Sequence, residues 1–390
     1  MKNLFLKFAM LCFVLSPAML VSCSDDDNGG DGGDGGSGDS GQTEIGALTS
    51  DEKLYSEWVA EDLYLSSLRL VANWGGETTA EQDQWLEDED YSPAEDYGQS
   101  FIEAGLGGNT KYPTVASATT TIIAGCRDII DEVAHSKIGA PYDGSDENYI
   151  ESPHSYNSIQ DFYDNTLGCL YALNGAVGAE TTSENSLMKY ALEKYPTEAT
   201  SVNNAISNAL AKIKQMKSPF VLYYADRSAG EAIAALEKLD EVLANLSNRF
   251  GDHDDEATLR LINKNYVENV VRPTYETLAV KSKKLFETFE NLSSQEDLDL
   301  ACNTWKEARQ YWEWSEAFLF GPAHNFSIDP HIDTWPFDVS AFNRYIKNNS
   351  PLTDATNKAI VTDAIRNGQN LTGFHAIEYL IFRNGQNRKF

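Results

Sequence analysis

Between Val271 and Leu292 the residues Val271, Tyr275, Leu278, Ser282, Leu285, Phe289 and Leu292 recur at alternating spacings of four and three. That period is one face of a long helix, because 3.6 residues per turn bring such positions into line. Ala229, Ile233, Leu236, Leu239, Leu243 and Leu246 repeat it, as do Leu54, Trp58, Leu65 and Leu68. Strict two-residue alternation is scarce; Phe220 to Tyr224 is the one strand-like run, and it reads either way. Pro273 stands early in the Val271 stripe, where it either kinks that helix or opens a new one. Amphipathic helices of this length bury their stripes against one another, so the expected fold class is all-α, built as helical bundles. With 390 residues, 42 % of them hydrophobic, there is material for a sizeable core in two or three domains or one large two-part unit.

The formal charge is −30. A nucleic-acid binder must neutralise phosphates with clustered Lys and Arg, so no nucleic-acid partner is expected. Lys2 and Lys7 lead into a short apolar run, Phe8 to Leu15, and Leu20-Val21-Ser22-Cys23 follows. The run is too short, and too soon interrupted by Pro17, to span a membrane. Leu three residues before a Cys resembles a bacterial lipobox, whose Cys is lipidated; residues 1–22 then form the signal peptide and Cys23 the anchor. Residues 23–47 add a Gly/Asp/Ser tether with a random-coil reach of about 25 Å. Its start, Ser24-Asp25-Asp26-Asp27, reads either as an acidic linker or as the surface-export signal of Bacteroidetes lipoproteins. The expected location is the outer membrane, facing the cell surface. Cys126, Cys169 and Cys302 remain in the body, far apart and odd in number, which reads as small buried residues and not as a disulfide framework.

The chemistry gathers near the end of the chain. His375 and Glu378, in GFHAIEYLIF, share a helix face at a spacing that lets both reach one ion. Imidazole with carboxylate suits zinc or iron. A zinc peptidase of the HExxH type needs a second His one turn on, and none follows. The bland reading is a helix His bonded to its neighbouring Glu. In TWKEARQYWEWSEAFLFGP, Trp305, Arg309, Trp312 and Glu316 share one face; Arg309 there either pairs with Glu316 in a packed core or walls a polar pocket. Two long loops, residues 138–158 and 320–338, carry Tyr, Trp, Pro and His, a composition suited to function more than to disorder. Ser158 and Asp161 in the first read as a capping-box-like pair. His324 and His331 in the second read as exposed or pocket-lining; His135, His154 and His253 show no obvious partners. No GxSxG, Walker A or GxGxxG run is present.

Taken together, the Arg309 helix, the loop IDPHIDTWPFD and the helix GFHAIEYLIF resemble the imelysin-like family, with Gly373, His375 and Glu378 matching its GxHxxE motif. GCRDIIDEVAHSKIGAP and YIESPHSYNSIQDF resemble the family's other half. The order is reversed relative to the usual one. Here the half with the Glu151-Ser152 loop (48–252) precedes the half with GxHxxE (253–390), as in a circular permutation. That arrangement requires the chain ends of the body to meet. The resemblance implies two packed four-helix-bundle-like domains and an iron-linked role. It implies a site of Gly373, His375, Glu378, Arg309, Glu316, Asp333, Trp335, Glu151 and Ser152, with His375, Glu378 and Glu316 as the expected metal ligands. The leading expectation is a non-enzymatic lipoprotein binding iron, another divalent metal or a small iron-bearing ligand, in iron uptake or homeostasis with an outer-membrane transporter as partner. A zinc metallopeptidase and a purely structural bundle are the alternatives.

Overall fold

Eight helices carry the architecture: α1 (Ser50–Asn73), α2 (Val115–Glu132), α3 (Ser158–Asn174), α4 (Pro196–Lys214), α5 (Arg227–Ser247), α6 (Arg272–Glu290), α7 (Gln295–Ser315) and α8 (Gly373–Ile381). The computed structural model describes residues 46–93, 96–353 and 371–390. Cys23, the export signal and most of the tether therefore lie outside the described residues. Among the described residues the only strands are a two-residue ribbon pairing Phe382–Arg383 with Gln386–Asn387. The Phe220 run is a helical turn, Phe220–Tyr223, that buries Phe220 against the core. Length decides this case, since five residues with no partner strand make no ladder.

Local chemistry sets the helix ends. Thr49 and Glu52 form a reciprocal capping box at the start of α1, Thr114 caps α2, and Ser294 caps α7. Pro196 opens α4, where its missing N–H is no loss. Pro273 likewise opens α6, directly after a π-helical turn, Val267–Val271, which absorbs the break. The stripes read from the sequence face inward: Tyr275, Leu278, Ser282 and Leu285 are fully buried, as are Leu236, Leu239, Leu243 and Leu246.

The helices sort into two four-helix bundles, α1 with α6, α7 and α8, and α2 with α3, α4 and α5. They share one contiguous core and one compact unit, residues 45–390. This corrects the linear division at residue 252: α1 belongs to the bundle formed by the last helices. The two meet where α7 lies on α3 and the 3-10 turn that follows it, Glu316–Phe318, lies on α2. Gly168 of α3 permits that approach, since a Cβ there would stand 2.4 Å from the Trp314 carbonyl oxygen. At the far end the body's termini join. The Leu48 N–H donates to the Lys389 carbonyl at 3.0 Å. Arg388 donates to Glu52 at 2.8 Å and to the Gly46 carbonyl at 3.2 Å. Cys126, Cys169 and Cys302 are all buried and free.

Candidate functional site

Gly373 begins α8 with φ +71°, and a Cβ on it would lie 2.2 Å from the Ile332 carbonyl oxygen. The absence of a side chain lets the helix start against the 331–333 loop. Half a turn on, His375 Nε2 comes 2.9 Å from Asp333 Oδ1. The Trp305 indole ties the same turn to α7 by donating to the Phe374 carbonyl at 2.9 Å.

Arg309 of α7 is the hub. Its guanidinium is completely buried, and reaches Asp333 at 2.6 Å and Glu151 at 2.7 Å; Glu313, one turn along, lies at 2.5 Å. Trp312 donates to the other Asp333 oxygen at 2.7 Å. A planar fork with five donors suits this convergence where a lysine would not. A second buried cation, Lys137, had no place in the sequence reading. It ends a π-helical turn, Val133–Lys137, that continues α2 and aims the ammonium into the seam. Its Nζ is 2.9 Å from Glu151, 2.8 Å from Glu316 and 3.8 Å from Glu313. Glu316 therefore pairs with Lys137, and not with Arg309.

Glu378, an expected metal ligand, is committed elsewhere. Its Oε1 accepts the backbone N–H of His154 at 2.8 Å, that of Ser155 at 2.7 Å and the Ser155 hydroxyl at 2.8 Å. Its Oε2 stands 3.5 Å from His375 Nδ1. It is a positioning residue that ties the Glu151-Ser152 loop to α8 and orients the imidazole. Ser152, at φ +48°, donates to Asp161 at 2.5 Å, and Asn157 holds the other Asp161 oxygen at 2.6 Å. Asp161 thus faces the site at 3.7 Å from Arg309, and the Ser158 hydroxyl bonds the Glu151 carbonyl. The capping-box reading of this pair fails: α3 begins without a side-chain cap. Trp335 is half-buried, its ring tilted 35° to that of Tyr149 at 3.9 Å and 6.4 Å from the His375 ring, which places it beside the cluster. His331 pairs instead with Asp62 at 3.1 Å, and His324 is exposed.

Burial pushes Glu313 and Glu316 well above the usual carboxylate range, against the pull of Arg309 and Lys137. Burial also raises Asp161, to about 8, despite Arg309. Asp333 behaves oppositely: burial opposes its charge, but Arg309 and His375 overcome that and hold it well below the usual range. At His375, burial and Arg309 favour the neutral ring, while Asp333 and Glu378 prevail and raise it to about 9.

A family model for imelysin matches residues 33–246 and 271–390. The chain belongs to the imelysin family. A crystal structure described as an imelysin peptidase from Bacteroides ovatus superposes with TM-score 0.75 at 27 % identity, covering 87 % of this chain and 96 % of that one. Iron-regulated protein A of Synechococcus elongatus is 30 % identical over 120 residues, which is 30 % of each chain. The all-helical imelysin fold is thereby established, and the cluster at the seam of its two bundles is the place to test for ligand.

The cluster fits a divalent cation. One ligand atom each from Glu151, Asp333 and His375 lies within 4.8 Å of the others. Glu151 Oε2 and His375 Nε2 are buried without a hydrogen-bond partner; the imidazole contact with Asp333 is close but poorly aligned. Two carboxylates and an imidazole suit iron or manganese. Of the expected ligands, His375 stands in this group with Asp333 and Glu151; Glu316 stands in an adjoining group with Glu151, Glu313 and Asp333, and Glu378 faces His375 Nδ1 at 3.5 Å. A separate cleft of about 210 Å³, bordered by Thr114, Asp252 and Glu256, shares no residue with this cluster.

Proposed function

We propose that this imelysin is an outer-membrane lipoprotein, anchored through Cys23, that binds a single ferrous ion through His375, Glu151 and Asp333 in iron uptake or homeostasis. The observation that supports it most is a three-residue group in which Glu151 Oε2 is buried without a hydrogen-bond partner and His375 Nε2 meets only Asp333, at 2.9 Å and poorly aligned. The iron-regulated relative gives the reading its metal. Arg309 already engages both carboxylates, so the ion would be held weakly enough to be passed to a transporter, or be completed by an anion that Arg309 helps to hold. Peptide hydrolysis is not proposed. Glu378 has three donors on one oxygen and is not poised as a general base for a metal-bound water.

Anaerobic equilibrium dialysis of the full-length protein against Fe2+ tests the binding. His375→Ala should lower affinity at least tenfold. Arg309→Lys, which keeps the charge but loses the fork, should weaken it less; Arg309→Ala strips a buried charge from its partners and should also cost roughly 3–5 kcal/mol of stability. Wild-type affinity in His375→Ala, or chelator-sensitive peptide cleavage that Glu378→Gln abolishes, would overturn the reading. Cys23→Ser should leave the protein unanchored in a membrane fractionation, and retention with the membrane would remove the lipoprotein claim.

A further inference from the structure

The cluster contains two cation positions. One is the His375 group. The other is formed by Glu151, Glu313, Glu316 and Asp333, which also place one oxygen each within 4.8 Å of the others. Glu151 and Asp333 belong to both, so the positions are adjacent and share bridging carboxylates. The first has a buried oxygen, Glu151 Oε2, without a hydrogen-bond partner. The second is flanked by Arg309, on Glu151, Glu313 and Asp333, and has the Lys137 ammonium 2.8 Å from Glu316 and 2.9 Å from Glu151.

We propose that Lys137 is a built-in cation filling what is otherwise a second metal position, and that it restricts the cluster to one divalent ion. Four carboxylates this close repel one another and require positive charge among them. An ammonium supplies one charge and three N–H donors. It leaves Glu151 Oε2 and Glu313 Oε1 buried without a hydrogen-bond partner, the latter off the line of the Arg309 N–H groups despite its nearness. A divalent ion would supply twice the charge and more ligand positions on the same oxygens. The π-helical turn matters here, since it points a residue of α2's extension across the seam. Lys137 is fixed by the chain, so the position is filled whatever metal is available outside.

This inference rests on the proposed single-ion reading, and manganese can separate the two. Mn2+ binding to full-length protein in detergent is counted by dialysis and elemental analysis, with paramagnetic resonance of the bound ion. Wild type should bind one Mn2+ and give an isolated six-line spectrum. Lys137→Met should be less stable without metal, bind two Mn2+, show the broadened spectrum of a coupled pair, and regain stability as the second ion binds. Lys137→Arg should bind one. If Lys137→Met binds one ion as wild type does, the inference fails while the single-ion reading survives; if wild type binds two, both fall. If wild type binds none and the variant binds one, the inference stands and the single-ion reading falls. If neither binds, both fall. Should Lys137→Met fold only with metal present, Mn2+-soaked wild-type crystals decide. Anomalous density beside His375 with Lys137 in place supports the inference, and density at the ammonium position with the side chain displaced overturns it.

Discussion

At His375 two neighbours contest one proton. Arg309 repels it and Asp333 attracts it, and the outcome is a ring that stays charged to about pH 9. A raised folded-state value means the charged ring stabilises the fold fully below the unfolded value of about 6.5 and that this is lost as pH climbs through about 9. Asp161, raised to about 8, works in the same direction: its neutral form is favoured in the fold, and the benefit fades as pH rises toward 8. Metal-free protein should therefore lose stability, and with it unfolding temperature, from pH 6.5 to 9.5, by roughly 3 kcal/mol for the histidine at most. Ferrous ion must displace that proton, so its affinity should rise across the same interval. A flat unfolding temperature in EDTA, or affinity that falls with pH, would contradict the charged-ring account. Single residues were the hardest feature to read from sequence. His375, Arg309 and Glu316 announced themselves as polar groups on apolar faces. Lys137 and Glu313 did not, because one is aimed by a π-turn and the other borders the Trp312 stripe. Asp161 looked like a local cap because Ser158 stands three residues away, whereas its partners are Ser152 and Asn157.

Among the elements, α8 is the one on which the site depends. Its nine residues are too few to be helical alone, so packing must supply its stability. Phe374, Ile377, Leu380 and Ile381 are all completely buried, and Trp305 bonds its first turn. Gly373 has no room to change: both its φ of +71° and the Ile332 carbonyl at 2.2 Å from a Cβ exclude a side chain. Gly373→Ala should cost at least about 2 kcal/mol, from αL strain and the clash together. It should weaken metal binding as well, by shifting His375 away from Asp333. A thermal melt and the Fe2+ dialysis check both, and an unshifted melt would show that the loop yields freely. Helices themselves were plainly legible, since a 3.6-residue stripe has one low-energy solution. The partner of Glu378 was not: spacing placed it beside His375 as a ligand, while its three donors come from a turn more than two hundred residues earlier.

For the whole molecule, the interleaving of the bundles has a simple form. Read in chain order, α1 stands apart from α6, α7 and α8, though all four pack together. If Phe390 is joined to Leu48 and the chain is opened between α5 and α6, the order becomes α6, α7, α8, α1, then α2 to α5. Each bundle is then one continuous stretch. The ends are already bonded, Leu48 to Lys389 and Arg388 to Gly46, so a short Gly/Ser link suffices and its closure entropy is small. The opening belongs between Asp252 and His253, both exposed, because Asp254 next to them is held by Tyr190 and Tyr195. We expect the relinked body, starting at His253, to fold cooperatively with stability within about 2 kcal/mol of the natural order and to bind metal equally. It should refold faster, since joining α8 to α1 makes the contacts of the first bundle local and lowers contact order. Stopped-flow refolding with circular dichroism measures this. A relinked chain that fails to fold, or refolds more slowly, would mean that α1 must dock before the later helices, and that the present chain order is part of how the fold assembles.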